Sequence, residues 1–181
     1  MTTPIFNLEK SIHAALYVAS KVKRKDFHKI FKVIYFADRE HLSNYGVPIT
    51  GDLYIAMSDG PVPSFLYDIF KVIRGDSYYS KRDYSKFSQY FVVKNWNFIE
   101  PKTTANLDYL SESNIEELDK SIELYGSLSW DEIREKSHDY AWRNTAKDHI
   151  ISLEQIMLEN GETDDYIQYI TSHIKSQQNC L

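Results

Sequence analysis

The chain has 181 residues and a formal net charge of −5, from 21 Lys and Arg against 26 Asp and Glu. That length suits one domain with an appended helix and excludes two full domains, while the acidic balance excludes a general electrostatic pull toward nucleic acid or anionic lipid. Glycine and proline are scarce, 6 and 5, which favours long helices over a turn-rich β architecture.

Asn7 is a helix N-cap, and Ile12, Ala15, Leu16, Ala19 and Val22 follow at helical spacing before the cations Lys21, Lys23, Arg24 and Lys25. Asp26 caps a second helix with the apolar stripe Phe27, Ile30, Phe31, Ile34, Tyr35, Leu42 and Tyr45, closed by Gly46. Steps of three and four along that stripe land on Asp38 and His41, so two ionisable groups are expected on the inward face. Beyond the turn 47–51, residues 53–57 alternate as a strand, and Gly60-Pro61-Val62-Pro63-Ser64 punctuates the chain before a helix that Pro63 opens and Gly75 ends. Residues 89–93 and 97–100 read as a hairpin around Lys94-Asn95-Trp96 that pairs with the earlier strand. Ser113 to Glu116 and Ser129 to Glu132 match capping boxes opening two further helices. Residues 138–147 read as helical, and 150–158 and 164–175 form a terminal helical pair around Asn160-Gly161. The expected fold class is α+β: a predominantly helical single domain with a small antiparallel sheet of about three strands.

The one cysteine, Cys180, excludes an internal disulfide framework and a multi-thiolate zinc site. No charged leader runs into an apolar stretch at the start, and the apolar run Ala14 to Ala19 is far too short to cross a membrane, so the expected compartment is the cytoplasm. Asp38 and His41, one turn apart, could act as a general base or as two metal ligands. Burial argues instead for a structural network in which they bond each other or backbone, and no His-x-x-x-His spacing completes a zinc site. Ser137-His138-Asp139 spells a hydrolase triad, but sequence neighbours on a helix point to different sides. Tyr78, Tyr79, Lys81, Arg82, Tyr84 and Lys86 interleave cations with aromatics, a composition for meeting a protein partner or stacking bases.

The block YFADREHLSNYGVPITGDLYIAMSDGPVPSFLYD, Tyr35 to Asp68, resembles the signature of the Panacea, or SocA-like, antitoxin domain of phage-associated proteins. The family's tyrosine, Asp-Arg-Glu-His core, Ile-Thr-Gly-Asp turn, methionine, Gly-Pro-Val-Pro-Ser turn and Tyr-Asp all have counterparts in order. A second block, Asp108 to Trp142, resembles the family's tyrosine-glycine helix end and its Ser-His-Asp followed by Ala-Trp. Val47 stands where a basic residue is expected, and Asp59 where Lys, Tyr or His is more familiar. The resemblance covers about residues 6–150, leaving 151–181 as a helical extension that packs on the domain or contributes to partner specificity. It implies a mostly helical antitoxin that binds an unrelated, usually neighbouring-gene toxin, with no catalytic residue, cofactor or metal. One branch of the family resembles an adaptor that delivers its toxin to the ClpXP protease. Carried onto this chain, the motif is Tyr35, Asp38, Arg39, His41, Tyr45, Thr50, Gly51, Asp52, Gly60, Pro61, Pro63, Tyr67, Asp68, His138 and Trp142, and the aromatic-basic stretch at residues 78–86 is the candidate toxin contact. The alternatives are a hydrolase using Asp38, His41 and Asp52, and a nucleic-acid binder using the basic loop 76–90; self-association is compatible with each reading.

Overall fold

The computed structural model describes residues 5–76 and 85–178. Among them, side-chain caps set the helix starts. Asn7 Oδ1 accepts from Lys10 N at 2.9 Å and opens α1 (Leu8–Lys21), and Asp26 Oδ1 accepts from Lys29 N at 3.1 Å and opens α2 (Phe27–Tyr45). Helix α2 is the central element: α1, α4 (Glu112–Tyr125), α5 (Trp130–Ser137) and α7 (Leu153–Glu159) all pack on it. Ile30, Val33, Ile34, Tyr35, Phe36 and Ala37 are consequently buried all round the helix, as a helix covered on every side requires.

Among the described residues four short strands form two separate hairpins: β1 (Tyr54–Met57) with β2 (Gly60–Pro63), and β3 (Phe91–Lys94) with β4 (Phe98–Pro101). The single sheet joining the second hairpin to the first strand does not form, because irregular chain already satisfies the outer edge of each hairpin. Ala56 N donates to His149 O at 2.9 Å and Ile151 N to Tyr54 O at 2.8 Å, closing β1; Ile99 N donates to Lys25 O at 2.8 Å, closing β4. The Gly-Pro-Val-Pro run is itself strand β2, where prolines are tolerated because it is an edge. Helix α3 (Ser64–Arg74) follows and touches both β2 and β3.

Two helix starts differ from the sequence pattern. The first capping box is Ser111 with Asn114, not Ser113 with Glu116, and Ser113 Oγ instead lies 3.1 Å from His41 Nε2. The helical stretch read over residues 138–147 is broken at His138, since Asp139 Oδ1 accepts from Trp142 N at 3.0 Å and caps the separate one-turn α6 (Tyr140–Arg143). The box at Ser129 and Glu132 is present as read. At the C-terminal end, α8 (Asp164–Gln178) buries Ile167, Ile170 and Ile174. Tyr166 OH donates to Ser43 O at 3.0 Å and Asn160 Nδ2 to Ser43 Oγ at 2.9 Å, so residues 160–174 dock on the end of α2.

Candidate functional site

Asp38 and His41 are buried, 2% and 4% exposed, but they do not bond each other. Asp38 accepts from Thr50 N at 2.9 Å, from the Thr50 hydroxyl and from Tyr54 OH at 2.7 Å, fixing the turn and β1 against α2. Burial pushes its carboxyl up while these three donors pull it down. One turn on, His41 Nδ1 lies 2.6 Å from Val47 O and Nε2 2.9 Å from Asn114 Nδ2. A carbonyl can only accept and an amide nitrogen only donate, so Nδ1 carries the proton and Nε2 is the acceptor. His41 thus ties α2 to the start of α4. Tyr45, placed on the inward stripe by spacing, is 47% exposed, with its ring 4.5 Å from that of His41; the helix runs out of core at its last turn.

The other motif residues divide their work similarly. Asp52 accepts from Leu53 N at 2.7 Å, Phe65 N at 2.9 Å and Leu66 N at 2.9 Å. The last two are first-turn donors of α3, whose N-cap Pro63 has no side chain able to satisfy them. Asp52 therefore caps that helix from a distance, and burial pushes its carboxyl up to about 7 against the pull of the three N–H groups. Gly51 takes φ +67° beside the Ile5 carbonyl. Tyr35 OH donates to Asp139 Oδ2 at 2.8 Å, Arg39 reaches the same oxygen at 3.3 Å and Glu159 at 3.5 Å, and Asp68 pairs with Lys71 at 2.6 Å. Asp38 and Asp52 do share a cavity, but it is a narrow one of about 20 Å³, room for one water. His41 is not among its lining residues, so the constellation a hydrolase would need is not assembled. Among the described residues no three His, Cys, Asp or Glu side chains gather as a metal site.

The hairpin turn of β1 and β2 is held by four side chains from three helices. Trp142 Nε1 donates to Met57 O at 2.8 Å, His28 Nε2 lies 3.2 Å from Asp59 O, Lys32 Nζ donates to Pro61 O at 2.8 Å, and Arg134 pairs with Asp59 Oδ1 at 3.0 Å. Gly60, at φ +97°, sits so close that a Cβ there would lie 2.4 Å from Ser137 Oγ. The His138 ring lies flat on Trp142 with centroids 3.7 Å apart, and the Ser137 hydroxyl donates to Arg134 O at 2.8 Å. Asp139 turns instead to Tyr35 and Arg39, so the three consecutive triad types have separate partners and share no proton path.

Beside this turn opens a cleft of about 420 Å³, walled by Phe27, Phe31, Met57, Tyr67, Trp96 and Trp130. Trp96 is 72% exposed at the tip of the second hairpin, where Asn95 and Trp96 both have positive φ, and Arg74 stacks on its ring at 4.4 Å. No sequence signal gathered this surface, since its aromatics come from α2, α3, α5 and the turn of the second hairpin. Lys32, Asp139 and Asn114 were missed likewise: Lys32 sits within an apolar helix, and the partners of the other two are far away in the chain. Of the candidate toxin contacts, Tyr78, Tyr79, Lys81, Arg82 and Tyr84 lie outside the described residues. Lys86 stands on the 3-10 turn Ser85–Gln89, its Nζ 4.8 Å from the centroid of the Phe87 ring.

A family model described as the antitoxin SocA-like Panacea domain matches residues 30–143, which takes in both sequence blocks, all but the first residues of α2, the elements from there through α6 and every motif residue placed above. No curated protein and no solved structure gives a significant match.

Proposed function

Because the chain belongs to the SocA-like antitoxin family of Panacea domains, we propose that it neutralises a cognate toxin, the product of a neighbouring gene, by direct protein–protein binding in the cytoplasm. The observation that carries this reading is where the motif's polar groups spend their bonds. Asp38, His41 and Asp52 each bond backbone or side chains that hold turns and helix starts, which is the work of a scaffold, while aromatic surface lies open on the cleft beside it. In this reading residues 6–150 form the common domain, and 151–181 add a docked helical pair that varies the surface near α2. The test is co-expression with the neighbouring gene. Growth should be restored, and the two proteins should co-purify as a complex stable through gel filtration; restored growth with no complex would instead point to repair of the toxin's damage.

A further inference from the structure

Between α2 and α4 lies a groove of about 190 Å³, lined on one side by Phe36, Glu40 and Asn44 and on the other by the stretch of α4 from Glu117 to Tyr125. Steps of four along α2 put its three lining residues on one stripe. The base is apolar. Phe36 is buried with its ring stacked on that of Tyr125 at 4.0 Å, and Leu124 stands beside them 63% exposed. The rim carries an excess of negative charge. On α4, Lys120 is shared between Glu116 at 2.8 Å and Glu117 at 3.0 Å, and Glu117 also accepts from Asn44 Nδ2 at 3.2 Å. On α2, the Arg39 that meets Glu40 at 3.1 Å also serves Asp139 and Glu159. Glu112 and Glu123, exposed on the same stripe of α4 as Glu116 and Lys120, have no cation within pairing distance among the described residues. An apolar slot with room for one large side chain therefore lies between carboxylates from two helices that the chain's own cations leave underneutralised.

We propose that this groove is a docking surface whose occupant is a short basic amphipathic segment of a partner protein: a Leu, Ile, Met or Phe seated on Phe36, Tyr125 and Leu124, with Lys or Arg on either side reaching Glu40 on one wall and Glu116 and Glu123 on the other. Charge complementarity selects that occupant, and the net charge of −5 acts in the same direction, since the field of the whole molecule steers a basic partner inward. A second copy of the chain carries the same net charge and meets repulsion instead. The proposal rests on the antitoxin reading for the identity of the partner, but not for the chemistry of the groove.

The experiment is selection from a phage-displayed library of random dodecapeptides on the immobilised full chain, followed by affinity measurements with the enriched peptide. The enriched sequences should place Lys or Arg on both sides of an aliphatic or aromatic residue, and added salt should weaken their binding several-fold. Glu123→Lys should weaken it about two- to fivefold, as rim charges do, and Leu124→Ser about fivefold or more, as loss of apolar contact does. Glu100→Lys makes the same change in net charge on the second hairpin and Trp96→Ala opens the aromatic cleft; both should leave binding unchanged. All four positions are exposed, so the variants should melt with the wild type by circular dichroism. A consensus without cations, no consensus, binding indifferent to Glu123→Lys and Leu124→Ser, or equal loss in Glu100→Lys would overturn the proposal. So would a dimer that Leu124→Ser dissolves, which would give the groove to a second copy. The failures of the two readings are distinct. Basic peptides seated in the groove with no protection from the neighbouring toxin would sink the antitoxin reading alone; protection by the wild type with no basic consensus would sink the groove alone.

Discussion

Replacing Lys32 by Met tests the electrostatics of the interior in one step. The lysine has an ordinary value of 10.5 in the unfolded chain and about 7 in the folded one, with burial as the leading cause. Below pH 7 the amine is charged in both states and the fold bears the full cost of covering it. Between pH 7 and 10.5 the folded amine is neutral while the unfolded one still holds its proton, so stability rises with pH across that window. At about 1.4 kcal/mol per pH unit, and with the folded group half titrated at the lower bound, the wild type should gain roughly 2 kcal/mol on the methionine variant between pH 7 and 9. In a chain of this size that is about 4–8 °C in melting temperature. Methionine gives up the bond to Pro61 O, a loss of about 1 kcal/mol, but a neutral lysine keeps it, so this offset does not change with pH. The groups around Lys32, namely His28, Asp59, Arg134, His138 and Asp139, are the same in both proteins. Thermal melts by circular dichroism from pH 7 to 9 should show the variant melting higher at pH 7 and the two curves converging toward pH 9. Parallel curves would refute the reasoning and mean that the ammonium is solvated or paired in the fold.

Asp38→Ala removes the acceptor of Thr50 N, the Thr50 hydroxyl and Tyr54 OH, so melting should show a loss of roughly 1–3 kcal/mol or more, and neutralisation should fall only in step with folded protein. His41→Ala strands the Asn114 amide and the Val47 carbonyl, and a urea titration should show a loss of similar size, partly additive with Asp38→Ala because the two bond different elements. Gly60→Ala and Gly75→Ala both force alanine to positive φ, but a Cβ meets Ser137 and Lys32 at the first site and nothing within 4 Å at the second. Gly60→Ala should therefore cost at least about 1–2 kcal/mol more in chemical denaturation, the penalty of overpacking added to that of strain.

The helix starts were legible because capping is local: Asn7, Asp26 and Ser129 each bond a backbone N–H three residues on. The burial of Asp38 and His41 was legible for the same kind of reason, since a helical stripe has a fixed period. Their partners were not, because Thr50, Tyr54 and Asn114 are brought in by a turn and by a helix some seventy residues away. Asp139 shows this most sharply. In the sequence it is the third member of a chance triad, whereas in the fold it caps α6 and receives Tyr35 and Arg39 from about a hundred residues upstream. The strand β2 was obscured by its two prolines, which read as punctuation until the edge position that tolerates them is known. The cleft had no sequence signature, as five separate segments contribute to it.

A chain that acts by occupying a toxin inactivates it in proportion to the amount added, which a titration measures. The purified product of the neighbouring gene, held at fixed concentration well above the binding constant, is mixed with increasing amounts of this chain and its residual activity measured. Residual activity should fall linearly to zero at a fixed molar ratio that does not shift with incubation time. Complete inactivation by a small fraction of an equivalent, deepening with time, would contradict it and identify a catalyst.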